Sequence, residues 1–317
     1  MMNRRLFCSS TTSFAACALI GPPTLPSSLK ERRFTLDLRC GSIGVQASQR
    51  EAIALAAKHG FESVNAEPTF LATLDDPARV ALLASMQTKK LTWGAAGLPV
   101  DFRRDEKRFR QDLKRFPSLC EGLQKAGVTR VGTYIMPRHA QLTYMANFRQ
   151  HTNRLRACVK IMVDHGLRFG IEYVGPKTLW ASQRHSFIHT MAEAMELLDA
   201  IGLRKHTGLV LDSWHWYTAH ETVDDLKKLT NADIVACDLN DAPKGLAIDE
   251  QIDNRRELPT DTGVIDLTAF LNTLNQIGYD GPIRAEPFNA ALNKLNNDDA
   301  CAATAKAMKS AFALVRQ

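Results

Sequence analysis

Short apolar runs alternate with longer amphipathic stretches from Phe34 to the C-terminus, and this alternation limits the folds open to the chain. The runs are rich in branched side chains and are typical of strands buried on both faces. Eight strands are predicted in this way: Phe34–Arg39, Glu62–Ala66, Leu91–Ala96, Arg130–Ile135, Arg168–Tyr173, Thr207–Asp212, Ile234–Asp238 and Ile283–Glu286. The clearest amphipathic helices between them cover Gln49–His59, Phe109–Lys125, Asn147–Asp164, His189–Ala200, Thr222–Leu229 and Leu267–Gln276.

Glycines follow several predicted helices just before the next strand, where a helix usually stops: Gly60, Gly127, Gly166, Gly202 and Gly278. A length of 317 residues with 45% hydrophobic content suits either one large α/β barrel or two smaller domains. Because no break in composition separates the repeated units, they favour a single parallel (β/α)8 TIM barrel over a doubly wound sheet. We therefore expect a leader and linker over residues 1–33 and a barrel over residues 34–317.

Four of the predicted strands end in a carboxylate: Glu172, Asp212, Asp238 and Glu286. In a TIM barrel the carboxyl ends of the strands lie at one face, where catalytic groups are found. Burying four ionised carboxylates together is costly unless a cation compensates their charge. We therefore expect them to bind one divalent metal ion. The alternative for Asp212 is that it only caps the following turn, with His215 as a core histidine.

A series of short motifs occurs in a fixed order along the second half of the chain. They are Ile171-Glu172-Tyr173, Leu211-Asp212-Ser213-Trp214-His215, Asp238-Leu239-Asn240-Asp241-Ala242-Pro243, Arg256-Glu257-Leu258-Pro259 with Gly263-Val264-Ile265-Asp266, and Gly278-Tyr279-Asp280-Gly281-Pro282 through Glu286-Pro287. Together they resemble the xylose isomerase-like barrel superfamily, specifically its sugar phosphate isomerase/epimerase branch. The resemblance implies a barrel that binds Mn, Mg, Co or Zn, with Glu172, Asp212, Asp238 and Glu286 as metal ligands. It also implies that His215 and Arg256 contact the substrate.

Asp238 departs from the family pattern, which usually has histidine at this position. A set of ligands made only of carboxylates is harder than one that includes an imidazole, so we expect Mn or Mg as the ion, with Co or Zn as alternatives. A weakened or lost metal site is the other interpretation. Asp241, three residues further on, either orients His215 or Arg256 or caps a turn before Pro243.

The expected function is a metal-dependent isomerase or epimerase of a sugar or sugar derivative. Glu172 and Glu286 end the fifth and eighth predicted strands and would approach one sugar from different sides. One glutamate would remove a proton to give a metal-stabilised enediolate, and the other would return a proton. The alternatives are a non-catalytic sugar-binding barrel and a metal-dependent lyase (dehydratase) of a keto-sugar or cyclitol. An endonuclease IV-like repair enzyme would need several histidines at strand ends, so we expect a carbohydrate partner and no nucleic acid, and homo-oligomer formation stays open.

The first residues have the pattern of an export signal. A twin arginine, Arg4-Arg5, precedes a modestly apolar stretch from Leu6 to Ile20 and a Pro- and Ser-rich segment. This pattern predicts a protein that is periplasmic or otherwise exported by the twin-arginine route. A disordered cytoplasmic tail is the alternative, and Phe14-Ala15-Ala16-Cys17 distantly resembles a lipidation box, which would anchor the protein at Cys17. No apolar run reaches the ~18 residues of a membrane span.

The charge is concentrated in the leader, where five basic residues and one acidic residue give +4 of the total +6. The dense charge run Asp101–Arg115 mixes both signs at helical spacing, so it predicts a solvated helix face rather than a nucleic-acid site. The 7 cysteines include no Cys-x-x-Cys pair, which argues against a disulfide framework or a zinc finger.

Overall fold

A parallel sheet that curls on itself is the centre of the fold in the computed structural model, which describes residues 32–316. Its nine strands are β1 (Thr35–Leu38), β2 (Ser63–Val64), β3 (Thr92–Trp93), β4 (Ala96–Gly97), β5 (Arg130–Tyr134), β7 (Arg168–Glu172), β9 (Thr207–Asp212), β10 (Ile234–Leu239) and β11 (Pro282–Ala285). Two further strands, β6 (Arg138–His139) and β8 (His185–Ser186), form a separate antiparallel pair. Every residue of β9 and β10 is buried, as expected for strands covered on both faces. The fold is TIM-barrel-like.

The order of strands in the sheet is β3-β2-β1-β11-β10-β9-β7-β5-β4. Its two end strands, β3 and β4, are separated in the chain only by Gly94 and Ala95, so one predicted strand, Leu91–Ala96, is divided into two. A side chain at Gly94 would collide with the carboxylate of Asp37. A glycine is therefore required where the third strand is interrupted.

Helices follow most of the strands and cover the outside of the sheet. They are α1 (Gln49–His59), α2 (Pro68–Ala72), α3 (Asp76–Thr88), α4 (Glu106–Lys125), α5 (Tyr144–Asp164), α6 (Lys177–Trp180), α7 (Met191–Ile201), α8 (Ser213–Thr218), α9 (Val223–Leu226), α10 (Leu267–Gln276) and α11 (Asn297–Phe312). The first shows how the sequence sets their limits: Ser48 and Glu51 form a capping box at its start, and Gly60 ends it at φ 74°.

Residues 1–31, and with them Arg4-Arg5 and Cys17, lie outside the described residues. Within the described part of the chain, none of the helices combines the length and the apolar character needed to cross a membrane. The cysteines that the structure describes are free and buried: Cys40, Cys120, Cys158, Cys237 and Cys301.

Candidate active site

The four strand-end carboxylates meet at one face of the sheet. Glu172 and Asp212 are the last residues of β7 and β9, Asp238 is the next to last residue of β10, and Glu286 follows β11 directly. They are 7%, 0%, 0% and 7% exposed, in that order. The structure thus brings together all four residues that the sequence selected.

Two overlapping groups of oxygen and nitrogen atoms are compact enough to surround a cation. One comprises Glu172, Asp238 and Glu286 and the other Glu172, Asp212 and His215, and within each group the ligand atoms lie within 4.8 Å of one another. Glu172 belongs to both groups. Its Oε1 atom is buried and accepts no hydrogen bond within residues 32–316. A buried acceptor without a donor is costly, and a cation would satisfy it.

Asp212 both caps a helix and faces the site. It accepts hydrogen bonds from the Trp214 backbone N–H at 2.7 Å and from Asn240 Nδ2 at 3.0 Å, and it is the N-cap of α8. Its second oxygen, Oδ2, accepts from Arg256 Nη1 at 2.7 Å. The turn-capping interpretation of Asp212 therefore describes one of its oxygens, and the other is held within the carboxylate cluster.

His215 is buried beside these carboxylates rather than in a separate part of the core. The Gly175 backbone N–H donates to its Nδ1 at 3.2 Å, and its Nε2 lies 3.2 Å from Arg256 Nη2. That nitrogen lies 3.7 Å from Glu172 Oε1 and 3.7 Å from Asp212 Oδ2. Burial and the neighbouring Arg256 guanidinium hold the pKa of His215 well below its usual range. A neutral imidazole is thus presented to the site.

Arg256 ties several acidic groups together. Besides Asp212 it contacts Asp253 Oδ1 at 2.9 Å and Glu286 Oε2 at 3.5 Å. Its guanidinium also lies 4.8 Å from the ring centre of Phe288. Its Nη2 also lies 3.2 Å from His215 Nε2, so Arg256 is held beside His215 with three carboxylates around it.

Burial sets the proton affinities of the cluster. It raises the pKa of Glu172 well above the usual range, and the neighbouring carboxylates of Glu286, Asp238 and Asp212 raise it further. Burial also raises the pKa of Asp212 to about 7, although Arg256 opposes this shift. Without a cation, the cluster therefore holds protons that ordinary carboxyl groups lose.

Asp238 has a partner that the sequence analysis did not identify. Arg284 donates to both of its oxygens, from Nε at 2.6 Å and from Nη2 at 3.0 Å. The position that is usually histidine in the family is thus a carboxylate bound to a buried arginine. Asp238 faces the site as predicted, but both of its oxygens are already engaged.

Asp241 contacts neither His215 nor Arg256, so the prediction that it orients them is wrong. Its carboxylate accepts backbone hydrogen bonds from Ala242 and from the four residues 262–265. The capping interpretation is closer, because Asp241 holds its own turn and the loop that follows Arg256.

A cavity of about 540 Å³ opens above the carboxylates. Its lining includes Glu172, His215, Arg256 and Glu286, and this volume is suitable for a small polar ligand. A second depression, of about 640 Å³, lies between α1 and α11, but none of the strand-end carboxylates lines it.

The cavity wall also contains residues that the sequence analysis missed: Arg39, Arg103, Tyr134, Arg284 and Phe288. The prediction that the run Asp101–Arg115 is one solvated helix face is wrong for its first residues. The helix α4 starts at Glu106, and Arg103 lies in the preceding loop, where it lines the cavity. Asp105 is the N-cap of α4 and was the available signal, since an aspartate at this spacing marks a helix start. From Glu106 onward the surface ion pairs of a solvated helix are present.

Comparisons with known proteins agree with this architecture. A family model described as a xylose isomerase-like TIM barrel matches residues 53–311. The inosose isomerase of Bacillus velezensis is 25% identical over 259 residues, which cover 79% of this chain and 87% of that protein. A xylose isomerase domain protein from Alicyclobacillus acidocaldarius superimposes with a TM-score of 0.76 at 26% identity, over 88% of this chain and 97% of that one. The IolI protein, solved with a bound zinc atom, superimposes with a TM-score of 0.73 at 21% identity, over 90% of this chain and 100% of that one.

Proposed function

Because this chain belongs to the xylose isomerase-like TIM barrel family, we propose that it is a metal-dependent isomerase or epimerase of a sugar or sugar derivative. The observation that carries the proposal is Glu172, whose buried Oε1 has no hydrogen-bond donor in the described chain and lies among two groups of candidate ligands. The name of the Bacillus velezensis relative, an inosose isomerase, supports isomerase chemistry. The zinc atom in the IolI structure supports a divalent ion.

The residues present fit such an ion. Glu172, Asp212, Asp238 and Glu286 would hold it through carboxylate oxygens, which suit Mn or Mg, while His215 keeps Co or Zn as alternatives. A bound ion of this type polarises a substrate carbonyl and makes the neighbouring C–H group more acidic.

The side chains supply the proton transfers. Glu172 would accept the proton from the substrate carbon through a carboxylate oxygen that the ion leaves free, because this side chain lines the cavity. Glu286 would return a proton from its own side of the cavity, and its Oε1 is positioned by Arg39 at 3.0 Å and Ser42 at 3.3 Å. His215 and Arg256 would contact the substrate hydroxyl groups, because both line the cavity between the two glutamates.

Hydrogen exchange with solvent tests this proposal directly. The full chain would be stripped of metal, reloaded with Mn, Mg, Co or Zn, and incubated in deuterated water with a panel of ketoses, aldoses and inososes. We expect metal-dependent deuterium incorporation at the carbon next to the carbonyl, measured by NMR, and its loss in Glu172→Gln. The matched control is Glu121→Gln, because Glu121 lies on the exposed face of α4 and pairs with Lys125. Exchange that continues in Glu172→Gln would contradict the proposal.

The Asp238–Arg284 ion pair favours a second candidate function, a non-catalytic sugar-binding barrel. Arg284 occupies lone pairs of Asp238 that a metal ion would otherwise use. Sugar binding without exchange under any metal would support this candidate, whereas loss of water from a bound keto-sugar would support the lyase.

A further inference from the structure

Arg103 is a cavity arginine without an acidic partner. It lies in the loop between β4 and α4 and lines the same cavity as Glu172. The other cavity arginines, Arg39, Arg256 and Arg284, each contact a carboxylate. Within residues 32–316, no carboxylate oxygen forms a salt bridge with Arg103.

Its guanidinium group is nevertheless held in a fixed orientation. The group lies 4.3 Å from the ring centre of Phe102 and 3.8 Å from that of Tyr134. Its Nη2 atom donates to Thr133 Oγ1 at 2.7 Å and to the carbonyl oxygen of Tyr134. Aromatic rings packed on a guanidinium group stabilise its positive charge only moderately. They therefore fix the orientation of the group without neutralising its charge.

The Nη1 group of Arg103 is left for a ligand, because it forms no hydrogen bond within residues 32–316 and is not enclosed. Its Nε atom is buried and has no hydrogen-bond partner in the part of the chain that the structure describes. Burial lowers the pKa of the Arg103 guanidinium, and the charges of Asp101 and Glu172, which form no salt bridge with it, oppose this shift only in part. A neutral hydroxyl group would accept a hydrogen bond from Nη1 but would add no compensating charge. A carboxylate or phosphate group does both, and its geometry matches the guanidinium fork.

The position of Arg103 relative to Glu172 also suits one small ligand. Thr133 and Tyr134, which hold Arg103, are the residues of β5 that pair in register with Ile171 and Glu172 of β7. Neighbouring strands are ~4.8 Å apart, so Glu172 and the residues that hold Arg103 lie on adjacent strands of the barrel. A sugar bound at Glu172 therefore has one of its substituents within reach of Arg103.

We propose that the substrate carries an acidic group, a carboxylate or a phosphate, and that Arg103 is the residue that recognises it. The inference rests on the proposed function in that it takes the ligand to be a sugar derivative. It adds the charge of that ligand and names a specificity-determining residue outside the carboxylate cluster.

Binding of three matched probes tests the inference. D-fructose, D-fructuronate and D-fructose 6-phosphate differ only at the sixth carbon, where they carry a hydroxyl, a carboxylate or a phosphate group. Isothermal titration calorimetry on the full chain would give the affinity for each probe. We expect at least one acidic probe to bind about 10- to 100-fold more tightly than D-fructose, the range for a hydrogen bond to a charged group. The probe that benefits distinguishes a carboxylate subsite from a phosphate subsite.

Arg103→Gln should reduce this preference to within about 3-fold, because it removes the charge that the acidic probes pair with. Arg104→Gln is the matched control, because it removes the same charge from the same loop at a side chain that is 72% exposed. If Arg103→Gln does not fold, the wild-type protein still decides the question through the comparison of the three probes and its dependence on ionic strength. Higher salt should weaken the acidic probe and leave D-fructose unaffected.

Two results would overturn the inference: equal affinity of the wild-type protein for all three probes, or an acidic preference that persists in Arg103→Gln. The test is separate from that of the proposed function. An acidic preference without any deuterium exchange would support recognition by Arg103 and contradict the proposed isomerase activity. Deuterium exchange on neutral sugars that Arg103→Gln does not alter would support the isomerase activity and contradict recognition by Arg103.

Discussion

Asp238 and Arg284 are paired side by side on β10 and β11 and form a two-point ion pair, with distances of 2.6 Å and 3.0 Å. Both side chains are buried, at 0% and 5% exposure. Burial opposes the charge on Arg284, but the carboxylates of Asp238 and Asp37 outweigh it and raise the pKa of the guanidinium above its usual range. Asp238, which stands where the family resemblance leads us to expect histidine, is therefore held by Arg284, and the two residues should be changed together.

A double-mutant cycle on this pair is our first prediction. Asp238→His alone should lower the free energy of unfolding by about 3–5 kcal/mol, because it removes both oxygens that Arg284 donates to and leaves only the carboxylates of Asp37 and Glu286 to oppose its charge. Adding Arg284→Val should recover much of that loss. If Asp238 is a metal ligand, the double variant should also bind Zn or Co more tightly relative to Mg than the wild-type protein does, since an imidazole is the softer ligand.

Chemical denaturation of the metal-free proteins and competitive metal titration would measure the two effects. Equal stability of Asp238→His and the wild-type protein would contradict the structural role of the pair. An unchanged metal preference in the double variant would remove Asp238 from the set of ligands.

Four strand ends were predictable because four of the eight buried apolar runs stop at a carboxylate, and a parallel barrel places all such ends at one face. Glu172, Asp212, Asp238 and Glu286 were found from this rule alone. The interruption of the third strand was not predictable, since Leu91–Ala96 has the composition of a continuous strand. Gly94, at the interruption, leaves no room for a side chain because the carboxylate of Asp37 lies against it, a contact between distant parts of the chain.

The arginines of the cavity were missed for a related reason. Arg284 lies on β11, two residues before Glu286, and so its side chain points to the same side of the extended chain, a signal that the alternation of side chains contains. Its pairing with Asp238 depends on the register between two strands, which the sequence does not give. Arg103 was hidden within a run of surface charges, and only the position of the N-cap Asp105 separates it from the helix.

Asp241 should be among the most important residues for the stability of the site. It is fully buried, and Asp241→Ala would remove the side-chain acceptor of the Ala242, Thr262, Gly263 and Ile265 backbone N–H groups. The Val264 N–H would keep only Thr262 Oγ1, at 3.4 Å. We expect the free energy of unfolding to fall by about 3 kcal/mol or more. Asp266→Ala, at the exposed N-cap of α10, is the control and should cost about 1 kcal/mol. Similar losses in both variants, measured by urea denaturation, would show that the loop does not depend on Asp241.

Glu221 should make the metal-free protein less stable as the pH rises. Its side chain accepts hydrogen bonds from Tyr173 Oη at 2.5 Å and from the Met191 backbone N–H at 2.6 Å, and burial raises its pKa to about 7. The folded protein therefore holds this proton more tightly than the unfolded chain. The stability that it contributes is complete below the unfolded pKa of about 4.3 and is lost as the pH passes through the folded value.

We expect this carboxyl group to account for a loss of about 2–3 kcal/mol in unfolding free energy between pH 5 and pH 8. Glu221→Gln should remove that part of the pH dependence, and at pH 8 the variant should be more stable than the wild-type protein. Glu196→Gln, on the exposed surface of α7, should leave the pH dependence unchanged. Parallel pH profiles for wild type and Glu221→Gln would show that Glu221 is not a buried acid.

Export through the twin arginine stays a prediction, because Arg4 and Arg5 lie outside the described residues. If they form the signal, changing both to lysine should leave the protein in the cytoplasm, since receptor recognition of this motif depends on the arginine pair. Cell fractionation of the wild-type and double-variant proteins, expressed in the same host, would measure the effect. Equal export of both would mean that another signal, or none, is used.

The two glutamates of the cavity should each be essential for turnover, but for partly different reasons. Glu172 is a candidate metal ligand and the carboxylate proposed to take the substrate proton, so Glu172→Gln removes both functions. Glu286 Oε1 is already held by Arg39 and Ser42, so Glu286→Gln also breaks contacts that fix the cavity wall. We expect each variant to lose more than the ~10²- to 10⁴-fold that a lone acid-base group contributes, because each also weakens metal binding. Metal content by mass spectrometry and deuterium incorporation into a confirmed substrate would separate the two effects, with Glu121→Gln as the control for both. A variant that keeps near-normal incorporation would exclude the two-glutamate scheme and favour the lyase or the non-catalytic barrel.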